Sequence, residues 1–302
     1  MSRIPLPQRR IRPLSPRLTR GGAVSLVALV GLLSCSAEPE PEFLGRERVT
    51  VAMHNDLPGL SHVDDHGHSG LDYLLFKHVR EELDVEFSDP VPVSSRDRVA
   101  QLVSKRADMT IASFSITPER MLEIDFVGPY LKTWQGFLVG PDGADVQTMD
   151  DLRGKRVCTW DGTTSQKTVD DSRVTSEWEP VVKDDASDCI EALLGGQVAA
   201  VSTDQTILYG FAQHHAKDGL RVVPDLKVGA PQYYGIGIPK GHRADCLELA
   251  SWLKTYVGSS TWSKDIDTSL PLLAEGDPER INEHKPSTDA IDARSCRDKA
   301  SP

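Results

Sequence analysis

Two hydrophobic periods alternate along this chain. "RVTVAM" (48–53) is short, β-branched and alternating, which predicts a strand. "SGLDYLLFKHVREEL" (69–83) repeats apolar residues at Leu71, Leu75, Val79 and Leu83, the spacing of an amphipathic helix. "VEFSDPVPV" then predicts a strand, "SSRDRVAQLVSKR" a helix and "ADMTIAS" a third strand. After "WQGFLVGPDG" the alternation restarts. "KRVCTW", "EWEPVV" and "VAAVST" predict strands, separated by the helices "GTTSQKTVDDS", "DASDCIEALLGG" and "DQTILYGFAQHHA". "LRVVP" and "YYGIGIPKG" follow as strands, and "HRADCLELASWLKTYV" and "TWSKDID" as helices. Strand–helix alternation implies an α/β fold with a parallel sheet covered on both faces. Two such units imply a cleft between lobes, with ligands expected at the carboxyl ends of strands. No repeat of solenoid period is visible, and the polar stretch 276–302 is expected to be a loosely ordered tail.

The first 34 residues stand outside this pattern. "MSRIPLPQRRIRPLSPRLTR" holds six arginines and no acid, and "GGAVSLVALVGLLSC" is a short apolar run. Together they make a signal peptide, too short to span a bilayer comfortably. Arg9 and Arg10 lie too far from the apolar run for a twin-arginine signal. "LLSC" leads to Cys35 and then at once to "SAEPEPE". This is similar to the lipobox of bacterial lipoproteins, which implies lipidation of Cys35; ordinary secretory cleavage beside an incidental cysteine is the alternative. Residues 35–46 form an extended, solvated Pro/Glu tether. The expected setting is the extracytoplasmic face of the cell membrane, with the chain lipid-anchored.

Without the leader's six arginines the stated 34 basic residues fall to 28 against 45 acidic ones, a formal charge of −17. Such a surface repels nucleic acid and anionic lipid. Cys158, Cys189, Cys246 and Cys296 remain, in an oxidising compartment. Cys158 on a strand and Cys189 on an amphipathic segment can close a loop of about 30 residues; Cys246 and Cys296 can tie the tail to a late helix. No CxxC pair suggests zinc. His62, His66 and His68, beside Asp64 and Asp65, offer transition-metal ligands but read more simply as an acidic loop. No metal and no cofactor is expected.

"ASFSITPERMLEIDF" (112–126) carries the chemistry. Hydroxyls of Ser113, Ser115 and Thr117 and the guanidinium of Arg120 gather after a strand, a good receptor for a small carboxylate. Surface pairing of Arg120 with Glu123 or Asp125 is the plainer alternative.

Several stretches, in order and spacing, resemble family 3 extracellular solute-binding proteins of amino-acid ABC transporters, of the actinobacterial glutamate-binding type. They include "VTVAMHNDLPGL", "GLDYLLFKHV", "SRDRVAQLVSKRADMTIASFSITPER", "IDFVGPYL", "CTWDGTTSQKTV", "DCIEALLGGQVAAVSTDQTILYGFAQ" and "YYGIGIPKG". The resemblance covers about residues 47–270 and implies a two-lobed periplasmic-binding-protein-like (type II) fold with two hinge crossings. Lobe 1 would be 47–139 plus 239–275, and lobe 2 140–238. It implies that Arg120 forks onto the ligand's α-carboxylate with backbone amides of Ser115 and Thr164. Asp204, with the Ser115 hydroxyl and the Ser113 carbonyl, would take the ammonium, although an aspartate there also reads as a helix N-cap. Arg98 would meet a distal carboxylate, with Arg96 as its rival two residues away. Thr163 and Ser165 would add hydroxyls, and Asp56 a charge at the rim. Leu57 and Leu60 stand where relatives often place sandwiching rings, which leaves acidic or polar ligands preferred; Ala199 replaces a usual aspartate. The implied partners are a free amino acid, L-glutamate above aspartate or glutamine, and the ABC permease's transmembrane subunits, with the binder a monomer. A ligand sensor signalling to a receptor or kinase, and a dehydratase or lyase on the same fold, are the competing functions; no catalytic glutamate stands out for the last.

Overall fold

The computed structural model describes residues 42–83, 85–275 and 279–297, the side chains of 173–176 excepted. The expected signal peptide, Cys35 and the expected tether up to residue 41 lie outside the described residues; over 42–46 the expectation of a solvated tether is corrected, since Phe43 is fully buried, Asp245 accepts its N–H at 2.7 Å and Arg46 pairs with Asp108. A nine-stranded sheet organises the rest. Its order runs Glu179–Lys183, Arg156–Trp160, Ala200–Asp204, Ile124–Val139, Val228–Pro239, Met109–Thr110, Val51–Met53, Val91–Pro92, with Arg221–Val222 beside Ile124–Val139. At one end Val51 pairs in parallel with Met109, and Ala52 with Val91. At the other, Arg156–Trp160 pairs in parallel with both of its neighbours. Two long antiparallel strands, of 16 and 12 residues, carry the chain between these parallel halves. The first crossing strand meets Val228–Pro239 along its early residues and Ala200–Asp204 along Gln135–Val139. The result is a two-lobed α/β fold with two crossings.

Some runs shrink for local reasons. "ADMTIAS" keeps only Met109–Thr110 in the ladder. Ser113 then turns to φ 45°, where buried Asp72 accepts from its N–H at 2.7 Å and its hydroxyl at 2.9 Å. Two satisfied donors offset a backbone conformation that a non-glycine residue seldom adopts. "VEFSDPVPV" yields Glu86–Phe87 and Val91–Pro92, since Pro90 between them has no N–H to donate. Two elements escape hydrophobic periodicity. The histidine loop is a three-stranded antiparallel ribbon, Asp56–Leu57, Ser61–Asp64 and Gly67–Ser69. A one-and-a-half-turn helix, Pro118–Glu123, starts with Thr117 capping the Arg120 N–H and Pro118 in its first turn.

The expectation of a loosely ordered tail is corrected. Arg280–His284 and Thr288–Arg294 are helical, and Ile291 is fully buried. His284 Nδ1 donates to the Lys132 carbonyl, Ser295 Oγ accepts from Gly128 N, and Arg294 lies 4.0 Å from the Tyr233 ring centre. Polar composition hid a segment that packs on the crossing strands through hydrogen bonds and stacking. Both disulfides are present, Cys158–Cys189 and Cys246–Cys296, with Cα separations of 5.7 and 5.8 Å. Among the described residues no helix is long and apolar enough to cross a membrane.

Candidate functional site

The carboxyl ends of strands from both halves meet at a small cavity lined by His54, Ser95, Arg98, Ser113, Ser115, Trp160, Thr163, Thr164, Ser165, Thr203 and Asp204, with Leu57 and Ile207 as apolar walls. Its cavity volume is only about 10 Å³, so a guest the size of an amino acid enters only if the lining parts. Most of the lining is hydroxyl, imidazole or charge, so a small polar guest suits it.

Arg98 begins the helix Arg98–Val103 and is 3% exposed. Its Nε donates to Ser95 O at 2.9 Å, Nη1 to Ala112 O and Ser113 O at 2.9 and 3.1 Å, and Nη2 to Gly162 O at 3.3 Å. Arg120 is not among the residues that line the cavity but bonds to the backbone of Ser115, which is one of them. Its Nη1 donates to Ser115 O at 2.8 Å and its Nη2 to Gly162 O at 3.0 Å. Both guanidiniums stack on Phe114, at 4.7 and 4.8 Å from the ring centre. Among the described residues neither has a carboxylate ion-pair partner, and Asp125, a rival for Arg120, is held by Lys240 at 2.8 Å. Burial pushes Arg98 down to about 9 and Arg120 down to about 10, so both still carry charge at neutral pH.

The opposing charge is Asp204, at the end of its strand and 4% exposed. Its side chain does not cap the following helix, which sets aside the N-cap reading. Oδ2 accepts from the Tyr234 hydroxyl at 2.5 Å, while buried Oδ1 has no hydrogen-bond partner among the described residues. Burial raises this carboxyl to about 6, against the lowering effects of Tyr234, Arg98 and Arg120.

Contacts between the halves close the site. Gly162 O takes both guanidiniums, Ser115 Oγ lies 3.4 Å from Thr164 Oγ1, and Trp160 Nε1 donates to Ser95 Oγ at 3.3 Å. Gly162 has φ +73°, and an added Cβ would lie 2.4 Å from Arg96 Cα, so only glycine brings this carbonyl so near.

Other candidate residues are placed differently from one another. Ser113 lines the cavity, but Asp72 takes its N–H and hydroxyl and Arg98 its carbonyl. The Thr163 hydroxyl donates to Trp160 O and accepts from Gln166 N, capping the helix from Thr164. Ser165 Oγ lies 3.2 Å from Thr203 Oγ1. Arg96 faces solvent and pairs with Asp184 and Asp161 at 3.4 and 3.7 Å. Asp56 is outside the cavity lining; its Oδ1 is 3.7 Å from His54 Nδ1. His62 packs edge-on to His214, whereas His68 stacks on Tyr73, so the loop's histidines do not converge. Ligand atoms close enough to share a metal come together at Glu42, His242 and Asp245, none of which lines the cavity. There Asp245 already accepts the Phe43 and Leu44 N–H groups.

Sequence reading missed His54, Ser95, Trp160, Thr203 and Tyr234. Ser95 sits in the same "SSRDR" as Arg98 and was within reach of the motif; Tyr234 lies in a hydrophobic run that reads as core.

Residues 49–285 match the bacterial extracellular solute-binding proteins, family 3, and the chain belongs to that family. Glutamate-binding protein GluB of Corynebacterium efficiens is 33% identical over 241 residues, 74% of this chain and 80% of that protein. GluB of Corynebacterium glutamicum is 31% identical over 247 residues, 76% and 82% of the two chains. Among solved structures, an ancestral arginine-binding protein bound to arginine superposes with a TM-score of 0.67 at 25% identity, covering 74% of this chain and 98% of that one.

Proposed function

We propose that the protein captures a free acidic amino acid, L-glutamate before aspartate or glutamine, and delivers it to the transmembrane subunits of an ABC importer. It binds without turnover, as a monomer held at the outer face of the membrane through lipid on Cys35. One observation carries this reading. The lining guanidinium of Arg98 and a carboxylate with an unbonded buried oxygen come from opposite halves to one cavity, the Arg120 guanidinium is bonded to Ser115 and Gly162 beside it, and among the described residues neither guanidinium has a carboxylate partner. The α-carboxylate meets Arg120, the ammonium meets Asp204 Oδ1, and the second cation, Arg98, favours a further negative charge. Because the two charges come from different halves, the ligand stabilises the closed arrangement over an open one. The relatives named glutamate-binding support the acidic choice.

Calorimetric titration with the twenty amino acids tests it. Glutamate should give saturable heat and be recovered unchanged. Heat from lysine or arginine and none from glutamate rejects the acidic specificity.

A further inference from the structure

His54 directly follows the strand Val51–Met53, is 3% exposed and lines the cavity. Its Nε2 is buried without a hydrogen-bond partner among the described residues, an expensive condition for a ring nitrogen unless a guest meets it. The backbone carbonyls of Val93 and Ala112 and the Asp56 carboxylate stand around the ring. The Ala112 carbonyl, which accepts from Arg98 Nη1, also lies by the imidazole, so ring and guanidinium share one end of the cavity. Asp56 Oδ1 stands 3.7 Å from Nδ1 on the ring's other edge. Arg98, meanwhile, has most of its N–H groups committed to backbone carbonyls and little left for a ligand.

Resting on the proposed capture of an acidic amino acid, we propose that His54 reads the ligand's distal carboxylate. Nε2–H donates to that carboxylate while Nδ1–H faces Asp56, the ring taking one proton from solvent as the ligand enters.

The electrostatics fit this assignment. Before a ligand enters, burial first and Arg98 second hold the imidazole down at about 3, so it is neutral even with Asp56 at 3.7 Å. A ligand carboxylate on Nε2 opposes both effects and, with Asp56 on the far edge, flanks the ring with two anions. Burial, then Asp185 at the start of the helix Ala186–Leu194, raises Asp56 to about 6, so it is largely ionised above that pH. The other charged neighbours are Arg98 on its helix and Asp204 at the end of its strand; His68 approaches the His54 backbone carbonyl, not its ring. A ligand with a neutral amide brings no second anion and leaves the ring neutral.

The test is titration of the full-length chain in detergent, at one mildly acidic pH, with glutamate and with glutamine in buffers of different ionisation enthalpy. Both ligands share the α-groups, so protons exchanged by Asp204 cancel in the difference. Glutamate should take up about one proton more than glutamine. His54→Gln should remove that difference and weaken glutamate by about 10- to 100-fold, the range of a charged hydrogen bond, with glutamine within about threefold. Asp56→Asn should reduce the uptake without touching the cavity. Equal proton exchange for the two ligands, or an excess unchanged in a folded His54→Gln, overturns the assignment. Should His54→Gln not fold, the two-buffer comparison on the unaltered chain decides alone. No heat from any amino acid would overturn the underlying capture reading, and this assignment with it.

Discussion

Tyr234, on the second crossing strand, donates its hydroxyl across 2.5 Å to Asp204, at the end of the strand Ala200–Asp204. That bond fixes one carboxylate oxygen and leaves the other aimed at the cavity. It also couples the site to pH. The Asp204 carboxyl sits at about 6 in the fold against 3.8 in the unfolded chain, so the ligand-free fold prefers it protonated. Its contribution to stability is complete below the unfolded value and is lost as pH rises through about 6. On the proposed reading the ligand's ammonium needs the ionised form, so affinity should move the opposite way. The rise in melting temperature caused by glutamate should grow as pH rises through about 6. Removing the donor with Tyr234→Phe should move that transition to higher pH; an unmoved transition would detach Tyr234 from the site.

The two arginines should separate experimentally. Arg120 makes two backbone hydrogen bonds beside the cavity, whereas Arg98 is a buried post bonded to four carbonyls. Arg120→Ala should abolish binding, a loss of more than about 100-fold, with a small change in melting temperature. Arg98→Ala strands several buried acceptors and should cost about 2–4 kcal/mol of folding stability as well as discrimination between glutamate and glutamine. Urea unfolding beside ligand titration distinguishes the two effects. Equal stability losses for both variants would contradict this division.

Gly210 tests closure without touching the site. It lies in the helix Gln205–His214, and an added Cβ would fall 1.8 Å from the Pro58 carbonyl oxygen of the opposite half. Gly210→Ala should therefore wedge the halves apart and weaken glutamate by about tenfold or more, since overpacking of this kind costs about 1–3 kcal/mol. Small-angle scattering with ligand should show a less compact molecule than the unaltered chain. A variant that closes and binds normally would show that this seam is soft.

The Cys158–Cys189 bridge joins the edge-side strand Arg156–Trp160 to the helix Ala186–Leu194 across a separation of 31 residues. Its double serine variant should lose about 3–4 kcal/mol on the loop-entropy account while keeping ligand specificity, because neither sulfur lines the cavity. Denaturant unfolding with and without reductant measures the loss.

Much of this was legible in sequence. The alternation of periods gave most strands and helices, since buried strands and amphipathic helices need those patterns. Arg98, Ser113, Ser115, Thr163, Thr164, Ser165 and Asp204 do reach one cavity, with Arg120 bonded to the Ser115 backbone beside it. What the sequence withheld depends on direction and partnership. Whether Arg96 or Arg98 turns inward depends on where a short helix begins. That the Ser113 and Thr163 hydroxyls are already engaged depends on Asp72 and Trp160, distant in sequence or chosen by a turn. His54 lay unnoticed because one histidine after a strand carries no pattern. The tail's helices were hidden because, beyond Ile281, Ile291 and the Cys246–Cys296 bridge, they are held by stacking and hydrogen bonds, which leave no hydrophobic period.

The doubly bonded Gly162 carbonyl sets a rivalry inside the molecule. On the proposed reading, a carboxylate arriving at these cations competes with the protein's own backbone for them, so the affinity measured from outside would be the difference between two grips. Any change that shifts this glycine's loop outward would relieve that competition and tighten the guest's hold on the arginines, even as it loosened the seam between the halves.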